Sequence, residues 1–231
     1  MQCWIRHLVL APVGGAIRFP AMLCSSMGAV FLSAGMGIAA GSLLAWMVRS
    51  WVVWSTRRWP MVGFSAVGGV VSLGVGCRFA TDPALPAWWW LGITGTALSV
   101  IDVSCRRLPR AWVVTTAAGG FAVFAVLTVT DPANGVALVR SLLAAVVVFA
   151  VGVLAYLVIP YWMGFGDVTL YGALALYWGW IGWHAVFRGI TASLLLLGIT
   201  AALAWIRHRD SKARIAAGPS LILGGWIGVL P

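Results

Sequence analysis

Two aspartates stand beside apolar runs long enough to be buried in lipid. Asp102 lies in Leu98-Ser-Val-Ile-Asp-Val-Ser-Cys-Arg-Arg-Leu-Pro109, and Asp167 lies in Gly164-Phe-Gly-Asp-Val-Thr-Leu170. The chain has only five acidic residues, all aspartate. An ionisable group at a membrane segment costs several kcal/mol unless it finds a partner or water, so it is a functional hypothesis by default. A pair suggests one chemistry. Two adjacent carboxylates cannot both ionise easily and hold one proton between them. The ionised member can take a proton from water while the neutral member polarises or protonates a scissile amide, which hydrolyses a peptide without metal or covalent intermediate. The proton belongs to the pair, so neither residue is assigned as the separate acid or base. The flanking residues suit such a site. Gly164 and Gly166 permit unusual backbone angles and close approach of another chain, and an extended peptide could lie along the backbone of Gly164, Phe165 and Gly166. Leu108-Pro109 ends helical register shortly after Asp102. The competing reading is that each aspartate caps a helix, Asp167 capping one that begins at Val168.

Composition says what must hold these residues. The 231-residue chain is 62% hydrophobic and 9% charged, whereas a soluble domain carries about 25% charged residues. So few charges cannot cover a water-facing surface, and the expected fold class is all-α, a polytopic helical membrane protein. The net charge is +10, with Lys212 the only lysine. Arginines in such a chain read as topology signals and headgroup contacts, so membrane lipids are expected partners and nucleic acid is not. Cys3, Cys24, Cys77 and Cys105 form no C-x-x-C pair and have no histidine at zinc-ligand spacing. No metal, no cofactor and no disulfide framework is therefore expected.

Apolar runs of roughly 20 residues, the length that crosses about 30 Å of hydrocarbon, predict seven spans. They cover 24–48, 60–79, 86–104, 111–129, 138–159, 168–187 and 189–206, with residues 219–231 a short eighth. Residues 1–85 read as N-terminal membrane helices and 86–231 as the core that carries both aspartates, in one continuous membrane domain. Pro60, Pro86, Pro132 and Pro219 fall near span starts, where a missing N–H is tolerated. If the loop with Arg49, Arg57 and Arg58 is cytoplasmic, alternation puts ten positive residues inside and five outside, as the positive-inside rule requires. Asp82 and Asp131 then fall in external Asp-Pro turns. Asp102 and Asp167 share the cytoplasmic face, and Asp210 is a solvated partner for its basic neighbours. Small residues at four-residue spacing, Gly37/Gly41 and Gly224/Gly228, predict close helix packing. The tryptophans, Trp88-Trp89-Trp90 and Trp178, Trp180 and Trp183 among them, read as interface residues.

The stretch Ile101-Asp102-x-x-x-x-Arg107-Leu108-Pro109 and the stretch Gly164-Phe-Gly-Asp-Val168 resemble the two aspartate motifs of prepilin peptidases, the type IV leader peptidase family within the GxGD membrane aspartyl proteases. Ala217-Gly-Pro-Ser-Leu-Ile-Leu-Gly-Gly225 looks like the family's C-terminal Phe-Gly-Pro-x-Leu-x-x-Gly segment. The resemblance covers roughly residues 86–231. It implies that Asp102 and Asp167 are the catalytic pair, with Gly164, Phe165, Gly166, Arg107, Leu108 and Pro109 binding substrate or shaping the site. It also implies cleavage of the basic leader of pilin-like precursors, the expected protein partners, at the cytoplasmic face of the inner membrane. Two departures are visible. Thr169 stands where the family often has lysine, and the chain lacks the cytoplasmic domain with paired Cys-x-x-C motifs that is associated with N-methylation. A short, peptidase-only form is expected. The alternatives are a non-catalytic multi-pass protein, a transporter or an assembly component of a pilus or secretion system, with structural or ion-binding aspartates, and a degenerate family member that binds leaders without cutting them. No internal repeat of the kind common in transporters is evident. His7, His184 and His208 lack triad partners.

Overall fold

The computed structural model describes residues 70–71, 74–79, 81–105, 108–159, 164–208 and 217–229. All regular structure among them is helical: α1 (Leu85–Cys105), α2 (Arg110–Thr130), a 3-10 turn (Pro132–Asn134), α3 (Gly135–Val158), α4 (Phe165–Ile181), α5 (Trp183–His208) and α6 (Gly218–Val229). Lipid leaves backbone groups no outside partner, and a helix satisfies them within itself. Of the expected spans, 24–48 and most of 60–79 lie outside the described residues, as does the Gly37/Gly41 pair.

Among the described residues, three helical stretches are long and apolar enough to cross a membrane: Arg110–Thr130, Pro132–Val158 and Trp183–Ala204. The expected spans 86–104 and 168–187 correspond to α1 and α4, which lie in the core of the bundle. α4 has 17 residues, most of them buried. It packs against α2, α3, α5 and α6, and a helix apolar on all sides belongs in such an interior. The 168–187 boundary is corrected at its end. α4 stops at Gly182, whose φ of 157° lies in a region open to glycine, and α5 begins at Trp183. Apolar residues on both sides hide this break from a hydropathy reading.

Specific contacts fix the helix directions. Ser141 Oγ donates to Leu176 O, and a methyl at Gly152 would lie 2.8 Å from Val168 Cγ1, so α3 and α4 are antiparallel. Tyr177 donates to Thr116 O (2.8 Å) while Trp180 stacks on Phe124, so α2 and α4 are parallel. Gly224/Gly228 do bring helices together: a methyl at Gly228 would lie 2.6 Å from Gly189 Cα. With α5 antiparallel to α6, the ends Cys105, Arg110, Val158, Phe165, His208 and Gly218 gather at one end of the bundle. Residues 131–134 and Gly182 lie at the other.

The tryptophans divide. Trp88 and Trp178 are fully buried rather than interfacial. Trp88 packs against Phe79, Phe124 and Tyr177 and donates to Asp82 Oδ2 (2.8 Å). Trp178 donates to Gly225 O (2.9 Å). Each indole N–H thus has an internal acceptor, which is what permits burial. Trp183 remains exposed. On α2, α3 and α5 large aliphatic side chains face outward, Val129 at 83% and Val158 at 78% exposure. Such a surface suits lipid rather than water.

Candidate functional site

The site is built at the end of the bundle where α1 stops and α4 and α6 start. Asp102 sits in the last turn of α1, 5% exposed. Its Oδ2 accepts a hydrogen bond from the backbone N–H of Gly218 (2.6 Å), an N–H that α6 cannot use because it belongs to the first turn. A methyl at Gly218 would lie 2.9 Å from Asp102 Cβ and Oδ2, so only glycine lets α6 come this close. The Gly-Pro-Ser segment therefore holds one aspartate directly, across 116 residues of sequence. Its resemblance to a motif is visible in the sequence, whereas this contact with Asp102 is not. The available signal was Gly-Pro at the start of an apolar run, where Pro219 fits the first helical turn.

Asp167 is the third residue of α4, half-buried. Its Oδ2 accepts from the backbone N–H of Gly164 (3.3 Å), while the Asp167 N–H donates to Gly164 O (3.0 Å). This is half of a capping box, since Gly164 has no side chain to return the bond. The cap reading of Asp167 is thus correct in kind and wrong in place: the helix begins at Phe165, not Val168. The bond uses one carboxylate oxygen at a long distance. Gly166, next to Asp167, packs against Leu108, six residues beyond Asp102, so both carboxyls stand at the same end of the bundle.

Leu108 and Pro109 interrupt the helices as expected, Pro109 being the N-cap residue of α2 with extended backbone (φ −66°, ψ 122°). This break is packed against the start of α4: a methyl at Gly166 would lie 3.1 Å from Leu108 Cβ. Close approach is therefore the reason for Gly166. The unusual backbone angles expected for Gly164 and Gly166 do not occur, since Gly164 has an ordinary extended conformation and Gly166 is helical. Phe165 makes edge contacts with Tyr156 and Phe149, and the Arg110 guanidinium lies over its ring, 5.5 Å from the centroid. Arg110 and Tyr156 were not singled out from the sequence; nothing in the spacing marks them. Arg107 lies outside the described residues.

Thr169 donates its hydroxyl to Gly166 O (2.7 Å). It is occupied by its own helix and supplies no charge to the pair. Asp82 and Asp131 lie away from the site, as turn residues. Asp82 accepts from Ala84 N (2.8 Å) and Trp88 Nε1 (2.8 Å), and Asp131 accepts from Ala133 N (3.1 Å).

The arrangement has the components of a two-carboxylate hydrolytic centre: a buried, hydrogen-bonded aspartate, a more accessible one, and helix starts on two sides. Comparison of the chain with protein-family models, with curated proteins and with solved structures finds no match.

Proposed function

We propose that the chain is an aspartic endopeptidase of the inner membrane that removes the basic leader from type IV prepilin-like precursors at the cytoplasmic face. The observation that carries this reading is the hydrogen bond from the Gly218 N–H to Asp102, with Leu108 packed on Gly166 beside Asp167, since stretches resembling the three prepilin peptidase motifs then lie at one end of the bundle. In the reaction, water adds to the scissile carbonyl carbon as one carboxylate takes its proton. The partner carboxyl stabilises the oxyanion, and a proton passes to the leaving amine as the C–N bond breaks. No cofactor enters. The chain spans the membrane about seven times, the ends at Arg110 and Gly218 facing the cytoplasm. Precursor and lipid are its partners.

The test is cleavage of a pilin-like precursor by the purified protein in lipid. Asp102→Asn and Asp167→Asn each abolish cleavage, with unfolding temperatures near wild type. Retained cleavage in either variant removes the two-carboxylate mechanism. A chelator leaves the rate unchanged, and clear inhibition would indicate a metal enzyme instead. A second reading has one specific observation in its favour: each aspartate accepts a backbone N–H from a helix start. Under it the pair is structural, in a scaffold or transporter. The wild-type chain would then cleave no precursor, and the asparagine variants would lose stability.

A further inference from the structure

The stretch of α5 long and apolar enough to cross a membrane, Trp183–Ala204, is interrupted by one charge, Arg188. Its neighbours on the helix surface, His184, Thr191 and Leu195, are exposed, so Arg188 borders the face that meets lipid. The Arg188 Nε is fully buried and has no hydrogen-bond partner, while the residue as a whole is only half-buried. The open part is therefore the tip of the guanidinium. The other arginines whose side chains are described are all engaged. Arg140 donates to carbonyls at the end of α4, Arg78 lies over the Phe79 ring and Arg110 over the Phe165 ring. Arg188 has no such partner among the described residues. The carboxylates at its end of the bundle, Asp82 and Asp131, are taken up by their own turns and by Trp88. A guanidinium is always charged and carries donors alone. Bordering lipid, it is costly until an anion meets it.

Depth selects the anion. Exposed Trp183 opens α5 and suits the headgroup level. Arg188 lies five residues further in, about 7.5 Å along the axis. Helical side chains lean toward the N-terminus, so its tip returns to that level. His184, one turn nearer the surface on the same face, sits against Gly182, where a methyl would lie 2.8 Å from its Cε1. Its imidazole is a second donor there. The anion at this level is the phosphate of a phospholipid. We propose that the terminal nitrogens of Arg188 bind the phosphate of one anionic phospholipid, with His184 beside it, in the leaflet opposite the aspartate site. A zwitterionic headgroup brings its own cation and leaves the Arg188 charge less well matched. The proposal requires that α5 cross the membrane and does not depend on what the aspartate site cleaves.

The test titrates the full chain in mixed micelles with phosphatidylglycerol or phosphatidylcholine and counts retained lipid by native mass spectrometry. Wild type holds one phosphatidylglycerol about tenfold more tightly than phosphatidylcholine, the size of one charge-assisted contact. Arg188→Gln loses that preference. Arg78→Gln removes the same charge from the same end, since Phe79 stacks on Trp88, and keeps the preference. Equal loss in both variants would mean diffuse attraction to a basic protein and overturns the proposal. A wild-type chain without the preference overturns it with no variant needed. Should Arg188→Gln fail to fold, Arg188→Lys is measured, which keeps the charge but not the planar fork. It holds phosphatidylglycerol more weakly than wild type, and an undiminished preference overturns the two-nitrogen contact. Inorganic phosphate at the same concentrations leaves the lipid in place. Displacement by it would assign the site to free phosphate and overturn the lipid as its occupant.

Discussion

At the scale of single residues, the four described aspartates sort by what their carboxylates accept. Asp131 closes a turn through Ala133 N–H, and Asp82 closes another while also receiving Trp88 Nε1. Trp88 is among the largest fully buried side chains, so loss of the Asp82 carboxylate strands its indole N–H in the core. Asp82→Ala is expected to destabilise the protein by about 1–3 kcal/mol, the cost of a buried unsatisfied donor. Precursor cleavage per folded molecule stays unchanged. Asp82→Asn, which keeps an acceptor oxygen, loses less. Thermal unfolding in lipid and an initial-rate assay separate the two effects. A cleavage defect in folded Asp82→Ala would mean that the distant end of the bundle contributes to the site. Asp102 and Asp167 differ from these two in lying together at the opposite end of the bundle. That property was partly legible in the sequence: both residues stand at the edges of apolar runs, whereas bringing together two residues 65 positions apart depends on how helices pack, which no local pattern encodes.

At the scale of elements, the helices were the most legible feature and their ends the least. The run at 111–129 predicted α2 almost to the residue, because Pro109 and Asp131-Pro132 punctuate it. The division between α4 and α5 was misplaced because Gly182 sits between Ile181 and Trp183, with no polar residue to mark the turn. The end of α4 is instead secured from a neighbour. Arg140 of α3 donates to Gly179 O and Trp180 O, at 2.7 Å each, and to Ile181 O at 3.3 Å. A cation on the last carbonyls complements the helix dipole, and it gives an arginine read as a topology signal a second task. The start of α6 does for Asp102 what Arg140 does for α4. Since a methyl at Gly218 would lie 2.9 Å from Asp102 Cβ, Gly218→Ala must displace either the carboxylate or the helix. A misplacement of about 1 Å at a reacting group costs on the order of 100-fold in rate. Gly218→Ala is therefore expected to lower precursor cleavage by about that factor while the bundle stays folded. A variant that cleaves at the wild-type rate would show that α6 does not position Asp102.

At the scale of the whole molecule, composition and contacts describe the same object from two sides. Exposed valines and leucines cover α2, α3 and α5, while α4 is buried almost throughout. The bundle therefore has an apolar waist and two ends. One end carries Arg110 and both aspartates of the site; the other carries the 131–134 turn and Gly182. Under the proposed reading the first end, which carries Arg110, faces the cytoplasm, as the positive-inside rule would place it. This assignment fixes where a substrate can arrive, since a leader held on the cytoplasmic side reaches only that end. Single cysteines introduced into a cysteine-free background test it. Ala133→Cys is expected to react in intact cells with a maleimide that cannot cross membranes, and Arg110→Cys to react only after the cells are opened. Both positions are exposed in the fold, so a lack of labelling reports sidedness rather than burial. The reverse pattern would turn the aspartates toward the outside, and a leader presented from the cytoplasm could not then reach them. Labelling of both from one side would break the bundle into elements that do not cross the membrane together.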